Sequence, residues 1–325
     1  MIPAELMDLI ERVKQAVNGI VVGKSETVDL MLTAFLCEGH ILLEDVPGVG
    51  KTLLARSFAK ALGLTFKRVQ FTPDLLPSDI TGVNVFNQKS GEFEFKPGPV
   101  FADILLADEI NRATPRTQSS LLEAMEERQV TVDGVTYPLP RHFMVLATQN
   151  PVELQGTFPL PEAQLDRFLM RLRLGYPTLD EEKTIVERFE RGPANLDAVA
   201  GIGPDKVAAL KRAPAETFIS PDLIEYVSNL TRLTRTHRGI ELGASPRATL
   251  SLARAAKAYA FIQGRSYVLP DDIKRLAIPV LAHRIIPGQD ASFRGRTSED
   301  IIAEVLDSVE VPIGDATSSA QPTAR

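Results

Sequence analysis

The sequence has a single cysteine, Cys37, so no intramolecular disulfide can form. It sits in an apolar helical stretch with Met31, Leu32, Ala34, Phe35 and Leu36, and reads as a small buried hydrophobe rather than a reactive thiol. The four histidines, His40, His142, His237 and His283, have no second histidine or cysteine three or four residues further on, which argues against a zinc site. No apolar run approaches the roughly 20 residues needed to cross a bilayer. The opening Met1-Ile-Pro-Ala-Glu-Leu-Met-Asp carries acids where a secretory signal carries positive charge, so the expected location is cytoplasmic. Runs of Lys or Arg are also missing, and the formal net charge is -6. Nothing electrostatic therefore favours a phosphate backbone, and nucleic acid ranks behind protein as a partner.

The 325 residues, 44% of them hydrophobic, suffice for two domains of ordinary size. In the first half, short apolar strands (Ile41 to Leu43, Ile104 to Ala107, Met144 to Thr148) alternate with helical spacing over Lys51 to Leu62 and Pro115 to Arg128. That alternation predicts an α/β fold with a parallel sheet covered by helices. Two hairpins interrupt it. Val130 to Tyr137 has Asp133-Gly134 at a two-residue turn, and Val83 to Phe95 turns through Asn87 to Gly91. Beyond about Gly175 only helix signals recur: a capping box at Thr178 and Glu181, Ser220-Pro221, Ser245-Pro246 and Pro270-Asp271-Asp272. These predict an αβα domain over 1–175, a helical domain of four or five helices over 176–312, and a disordered polar tail over 313–325.

Leu43-Glu-Asp45-Val-Pro47-Gly48-Val49-Gly50-Lys51-Thr52 follows a strand and opens a helix, the context of a phosphate-binding loop. Small residues let backbone N–H groups wrap phosphates, Lys51 meets the β- and γ-phosphates, and Thr52 ligates Mg²⁺. Asp45 stands where the pattern has its first glycine. About fifty residues on, the strand Ile104 to Ala107 ends in Asp108 and Glu109, carboxylates suited to holding Mg²⁺ and to polarising the attacking water. Asn150, at the tip of a third strand, either orients that water or simply starts an Asn-Pro turn.

Arg247 lies in the first turn of a helix, where a cation is mildly disfavoured unless a negative ligand is near. It is read either as folding over the nucleotide phosphates and reporting their state through the lid, or as an ordinary surface arginine. Glu162 to Phe168 reads as a short amphipathic helix with Leu165, Phe168 and Leu169 on its apolar face. Arg167 cannot face its neighbour Asp166 across that helix. It is free to act as a finger on a neighbouring subunit's γ-phosphate, or to be a solvated arginine.

Leu-Glu-Asp-Val-Pro-Gly-Val-Gly-Lys-Thr, Ala-Asp-Glu-Ile-Asn-Arg-Ala, Leu-Leu-Glu-Ala-Met-Glu-Glu-Arg-Gln-Val-Thr, Ala-Thr-Gln-Asn-Pro, Glu-Ala-Gln-Leu-Asp-Arg-Phe and Gly-Ala-Ser-Pro-Arg occur in this order, and together they resemble the MoxR family of AAA+ ATPases. In that family the position of Asp45 need not be glycine. The resemblance implies an αβα nucleotide-binding domain with a helical lid, in hexameric rings that hold ATP between subunits. It assigns Lys51 and Thr52 to the first phosphate motif, Asp108 and Glu109 to the second, Asn150 to the first sensor, Arg167 to a trans-acting finger, Arg247 to the second sensor, and Val22-Gly23 to the adenine. It also implies a chaperone that matures client complexes, commonly beside a protein with a von Willebrand factor A domain. The rival expectation is a nucleic-acid-stimulated motor of the helicase branch, and a non-hydrolysing nucleotide switch is disfavoured by the presence of Glu109.

Overall fold

A computed structural model describes residues 2–151, 156–190, 192 and 195–312; the tail expected over 313–325 lies outside them. Two helices, α1 (Ala4–Asn18) and α2 (Ser25–Leu36), precede the first strand, β1 (Ile41–Glu44). Next come α3 (Lys51–Leu62), β2 (Phe66–Gln70), α4 (Pro77–Thr81), the hairpin β3 (Gly82–Asn87) and β4 (Glu92–Pro97), and β5 (Ile104–Asp108). Then follow α5 (Pro115–Glu127), a second hairpin of β6 (Gln129–Val132) and β7 (Val135–Pro138), β8 (Met144–Gln149), α6 (Glu162–Leu165) and β9 (Met170–Leu172).

The five-stranded sheet has the order β2-β5-β8-β1-β9, with every pairing parallel. Its strands alternate between two apolar cores, because successive side chains leave opposite faces. Ile41, Leu43, Ile104, Leu106, Met144 and Leu146 enter one core with α1, α2 and α3, while Leu42, Leu105, Ala107, Val145 and Ala147 enter the other with α5. Burial on both faces is why three of these strands read as unbroken apolar runs. The parallel arrangement puts every strand's C-terminal end on one edge of the sheet, where open α/β folds bind ligands.

The Asp133-Gly134 hairpin forms as expected, with φ of 50° and 81° at its two turn residues. The β3–β4 hairpin pairs Phe86 with Phe93 and turns through Gly91 at φ 73°. Phe95 stacks on Tyr137 at 4.0 Å between ring centroids, and Asn84 Nδ2 donates to Asp133 at 2.7 Å. The two insertions are thus joined to each other.

The C-terminal half is helical: α7 (Leu179–Glu190), α8 (Pro204–Arg212), α9 (Pro221–Thr234), α10 (Pro246–Ile262), α11 (Pro270–Leu281), α12 (Gln289–Phe293) and α13 (Ser298–Ser308). Among the described residues this is more than the four or five helices expected, because α8, α12 and α13 are short segments. A two-stranded ribbon, Ile240–Leu242 against Ile286–Pro287, was also not anticipated. Thr178 and Glu181 do form a reciprocal cap, and the Ser220 hydroxyl accepts from the Leu223 N–H. Ser245 stands at the N-cap of α10 but donates instead to Asp166 at 3.3 Å. Leu223, Leu252, Leu276 and Ile301 share one continuous core with α1, α2 and α3, so the helical half is packed onto the sheet domain through apolar side chains.

The amphipathic helix expected through Phe168 stops at Leu165. Phe168 and Leu169 are already leading into β9: Phe168 is fully buried and the Leu169 N–H donates to the His40 carbonyl at 2.8 Å. Pairing with β1 decides the conformation there, and a three-residue strand carries too little pattern to be seen beforehand.

Candidate nucleotide site

Between β1 and α3 the chain makes a loop in which Gly48 and Gly50 have φ of 87° and 88°. Side chains rarely tolerate that conformation, so glycine is required at both positions. Asp45 needs no such freedom. Its carboxylate accepts from the Leu174 N–H and from the Gly175 N–H, tying the loop to the segment that leads into the helical half. This is why an aspartate replaces the expected glycine. Gly50 is the N-cap of α3, which puts Lys51 and Thr52 in the helix's first turn, where unpaired N–H groups favour an anion. Lys51 Nζ donates to the carbonyls of Asp45 and Val46 at 2.9 and 3.3 Å, and so folds back over its own loop.

Asp108 ends β5, and Glu109 follows with a left-handed backbone at φ 56°, a conformation that costs a non-glycine residue of order 1–3 kcal/mol. Thr148 of β8 holds both in place: its hydroxyl donates to Asp108 Oδ1 at 2.6 Å and accepts from the Glu109 N–H at 2.9 Å. Strand β2 supplies two further partners. Arg68 donates to Asp108 Oδ2 through Nε at 3.0 Å and Nη2 at 2.6 Å, and Gln70 donates to Glu109 Oε2 at 2.7 Å. Arg112 pairs with Glu109 at 3.2 Å. Strand β8, which lies between β5 and β1, ends with Gln149, and Asn150 follows it on the same edge. With strands about 4.8 Å apart, the acid pair and the glycine loop are separated by roughly 10 Å across β8, a span that a triphosphate and a metal ion fill.

Beside the loop opens a cavity of about 570 Å³ walled by Ile20, Val21, Val22, Leu53, Ile185 and Phe189. Its apolar walls and its junction with Gly48 to Gly50 suit an adenine whose phosphates run onto the loop. Val22 lines it. Gly23 does not; it lies under the carboxylate of Glu181, which an added Cβ would meet at 2.0 Å. The residues present therefore fit a nucleoside triphosphate at the expected edge.

The two arginines lie elsewhere. Arg167 donates to the Leu122 carbonyl at 2.8 Å and pairs with Glu126 at 3.0 Å, and Arg247 pairs with Glu126 at 2.8 Å. Glu126 is at the C-terminal end of α5, and the neighbouring Met125 carbonyl is 3.2 Å from the ring of His40, the residue before β1. Lys51 follows the other end of β1. The arginines thus occupy the N-terminal edge of the sheet, roughly 13–20 Å of strand away from the phosphate loop. In the lone chain Arg247 does not fold over the phosphate loop: α10 packs against α2, and Arg247 meets Glu126 beside Arg167.

Residues 40–170 match the ATPase family associated with various cellular activities (AAA), and residues 232–305 match the AAA lid domain. The chain is 48% identical to the uncharacterized protein YeaC of Bacillus subtilis, covering 95% of this chain and 97% of that one. It is 42% identical to the chaperone MoxR1 of Mycobacterium tuberculosis over 93% of this chain and 82% of the relative. The chain belongs to the MoxR family of AAA+ ATPases. The crystal structure of a candidate ATPase from Cytophaga hutchinsonii, 42% identical, superposes with a TM-score of 0.88 over 95% of this chain and 96% of its own. In this MoxR-family ATPase, sequence motifs foretold the glycine loop and the acid pair. Thr148, Arg68 and Gln70 were missed; only Thr148 lay inside a quoted motif, and β2 gave no strand signal to place the other two.

Proposed function

We propose that the chain hydrolyses Mg²⁺-ATP at the interfaces of a homo-oligomeric ring, hexameric and cytoplasmic, and uses the cycle to remodel a client protein complex as a chaperone. Residues 1–175 form the nucleotide-binding part and 176–312 the lid. The observation that carries this reading is the split between edges: the glycine loop and acids lie on one, Arg167 and Arg247 on the other, so a complete site needs two copies. The relative named a chaperone supports the client role. A client partner with a von Willebrand factor A domain rests on the family resemblance alone.

Within one chain, Pro47, Gly48, Val49, Gly50 and Lys51 hold the phosphates, Val22 lies toward the base, and Thr52 and Asp108 hold Mg²⁺. Bound there, Mg²⁺ would supply positive charge against the phosphate oxygens. Glu109 takes a proton from the attacking water, and Asn150 orients that water. For Glu109 to do so, its carboxylate must turn from Gln70 and Arg112 toward the loop. Arg167 and Arg247 lie against the nucleotide of the adjoining subunit.

Lys51→Ala should abolish binding of a fluorescent ATP analogue, whereas Glu109→Gln should bind it normally and hydrolyse at least 10²-fold more slowly. A client that stays bound to the Glu109→Gln protein in ATP can then be identified. Equal hydrolysis by the Glu109→Gln and unmodified proteins would remove Glu109 from the mechanism. Stimulation of hydrolysis by DNA, steeply salt-dependent, would favour the helicase-branch reading.

A further inference from the structure

The carboxylate shared by Arg167 and Arg247 has no part in the chemistry so far assigned. Glu126 gives one oxygen to each guanidinium, Oε2 to Arg167 at 3.0 Å and Oε1 to Arg247 at 2.8 Å. It is a third exposed, whereas Arg247 is half exposed. The cavity beside it, about 300 Å³, is lined by Arg128, Arg167, Arg247, Arg254 and Arg284 against Glu38, Glu126 and Asp166. Five cations face three anions there, and two of the anions, Glu126 and Asp166, are already engaged. Asp166 pairs with the buried Arg284 at 3.3 Å and accepts from Ser245. Glu126 is the one acid bonded to both Arg167 and Arg247.

Two guanidiniums converging on one point repel each other unless an anion lies between them. In the lone chain that anion is Glu126, and hydrogen bonding to Arg247 holds its carboxyl below the usual range. The chain's own phosphate loop, at the opposite edge of the sheet, cannot supply a substitute. A second copy can, because its triphosphate would arrive at this edge with more negative charge than one carboxylate.

We infer that Glu126 is an electrostatic latch: it occupies Arg167 and Arg247 until the γ-phosphate held by a second copy of this chain displaces it, so that docking of subunits depends on ATP rather than ADP. The inference rests on the proposal that both arginines act across subunits. ADP lacks the terminal phosphate and competes poorly with the carboxylate, which leaves the latch closed. Position adds a second consequence, since α5 starts three residues after Arg112 and ends at Glu127, so the latch stands on the same helix that leads away from the chain's own acid pair.

The test is assembly of the full chain, measured by sedimentation velocity in Mg²⁺ with ADP or with a non-hydrolysable ATP analogue. The unmodified protein should assemble more tightly with the analogue. In Glu126→Gln the ADP-bound protein should assemble about tenfold more tightly than the unmodified protein does with ADP, because docking no longer has to break the pairing with Glu126. Glu126→Ala should behave alike, which separates loss of charge from any local misfolding of one variant. An ADP assembly constant unchanged in both variants, or an unmodified protein indifferent to nucleotide, overturns the latch. Co-assembly of Arg167→Ala with Lys51→Ala reports on the underlying proposal by itself. Recovered hydrolysis with an unchanged ADP assembly constant sinks only the latch; no recovery sinks the trans placement and the latch with it.

Discussion

His40 shows how much one side chain can fix. The Val145 N–H donates to Nδ1 at 2.9 Å, so the ring proton must sit on Nε2, which then donates to the Met125 carbonyl. The ring is wholly buried, and burial together with the nearby Arg128 pushes its pKa down to about 3. His283 is buried as well and lowered in the same direction by burial and by Arg284. Because the folded values lie below the unfolded value near 6.5, the neutral rings stabilise the fold fully above that pH, and the contribution is lost as pH falls toward 3. Between pH 7 and pH 5 His40 alone should cost about 2 kcal/mol, read from urea midpoints, and His40→Gln should flatten that dependence. Equal pH slopes for the two proteins would contradict the assignment. At this scale the sequence was legible wherever backbone geometry confines chemistry to adjacent positions: Gly48, Gly50, Lys51, and Asp108 with Glu109. It was not legible for Arg68 or Gln70, whose bonds to the acids depend on which strand pairs beside β5.

Elements divide along the same line. Strands β1, β5 and β8 were readable because both faces are buried, whereas β2 keeps only Val69 buried among Lys67, Arg68 and Gln70 and so shows no apolar run. Helix α7 buries none of its residues, yet Ile185 and Phe189 wall the nucleotide cavity, and Phe189 is 80% exposed. A helix held by so little packing opens easily, and an adenine against those side chains supplies the missing contacts. Hydrogen exchange over α7 should therefore slow by at least tenfold on saturation with ADP, and an unaffected rate would place the base elsewhere. The second strand of the first hairpin carries two phenylalanines, Phe93 and Phe95, whose settings differ. Phe93 is 72% exposed, while Phe95 stacks on Tyr137 and meets Phe101 edge-on. Phe93→Ser should leave thermal stability within about 0.5 kcal/mol, and Phe95→Ser should lower it by more than about 1 kcal/mol. Equal losses would mean that the two insertions are not joined through that stack.

For the whole molecule, the decisive fact is that a parallel sheet has two unlike edges. Its C-terminal edge carries Lys51, Asp108 and Glu109; its N-terminal edge carries Arg167 and Arg247, and a strand's length keeps them apart. Motif order along the chain could not reveal this, because the position of Arg247 is set by where α10 packs, a property of tertiary contacts and not of the Ser-Pro-Arg triplet. In the proposed ring a heterologous interface joins one edge to the other, and every site draws on two chains. Arg167→Ala and Lys51→Ala should each be nearly inactive alone. Mixed in equal amounts, random rings contain interfaces in which an intact Lys51 meets an intact Arg167, and about a quarter of the unmodified activity should return. The same mixing applied to Arg247→Ala discriminates sharply. If Arg247 serves its neighbour, Lys51→Ala subunits rescue it to the same degree. If it serves its own chain, each subunit lacks one half of its site, and no mixing ratio restores hydrolysis.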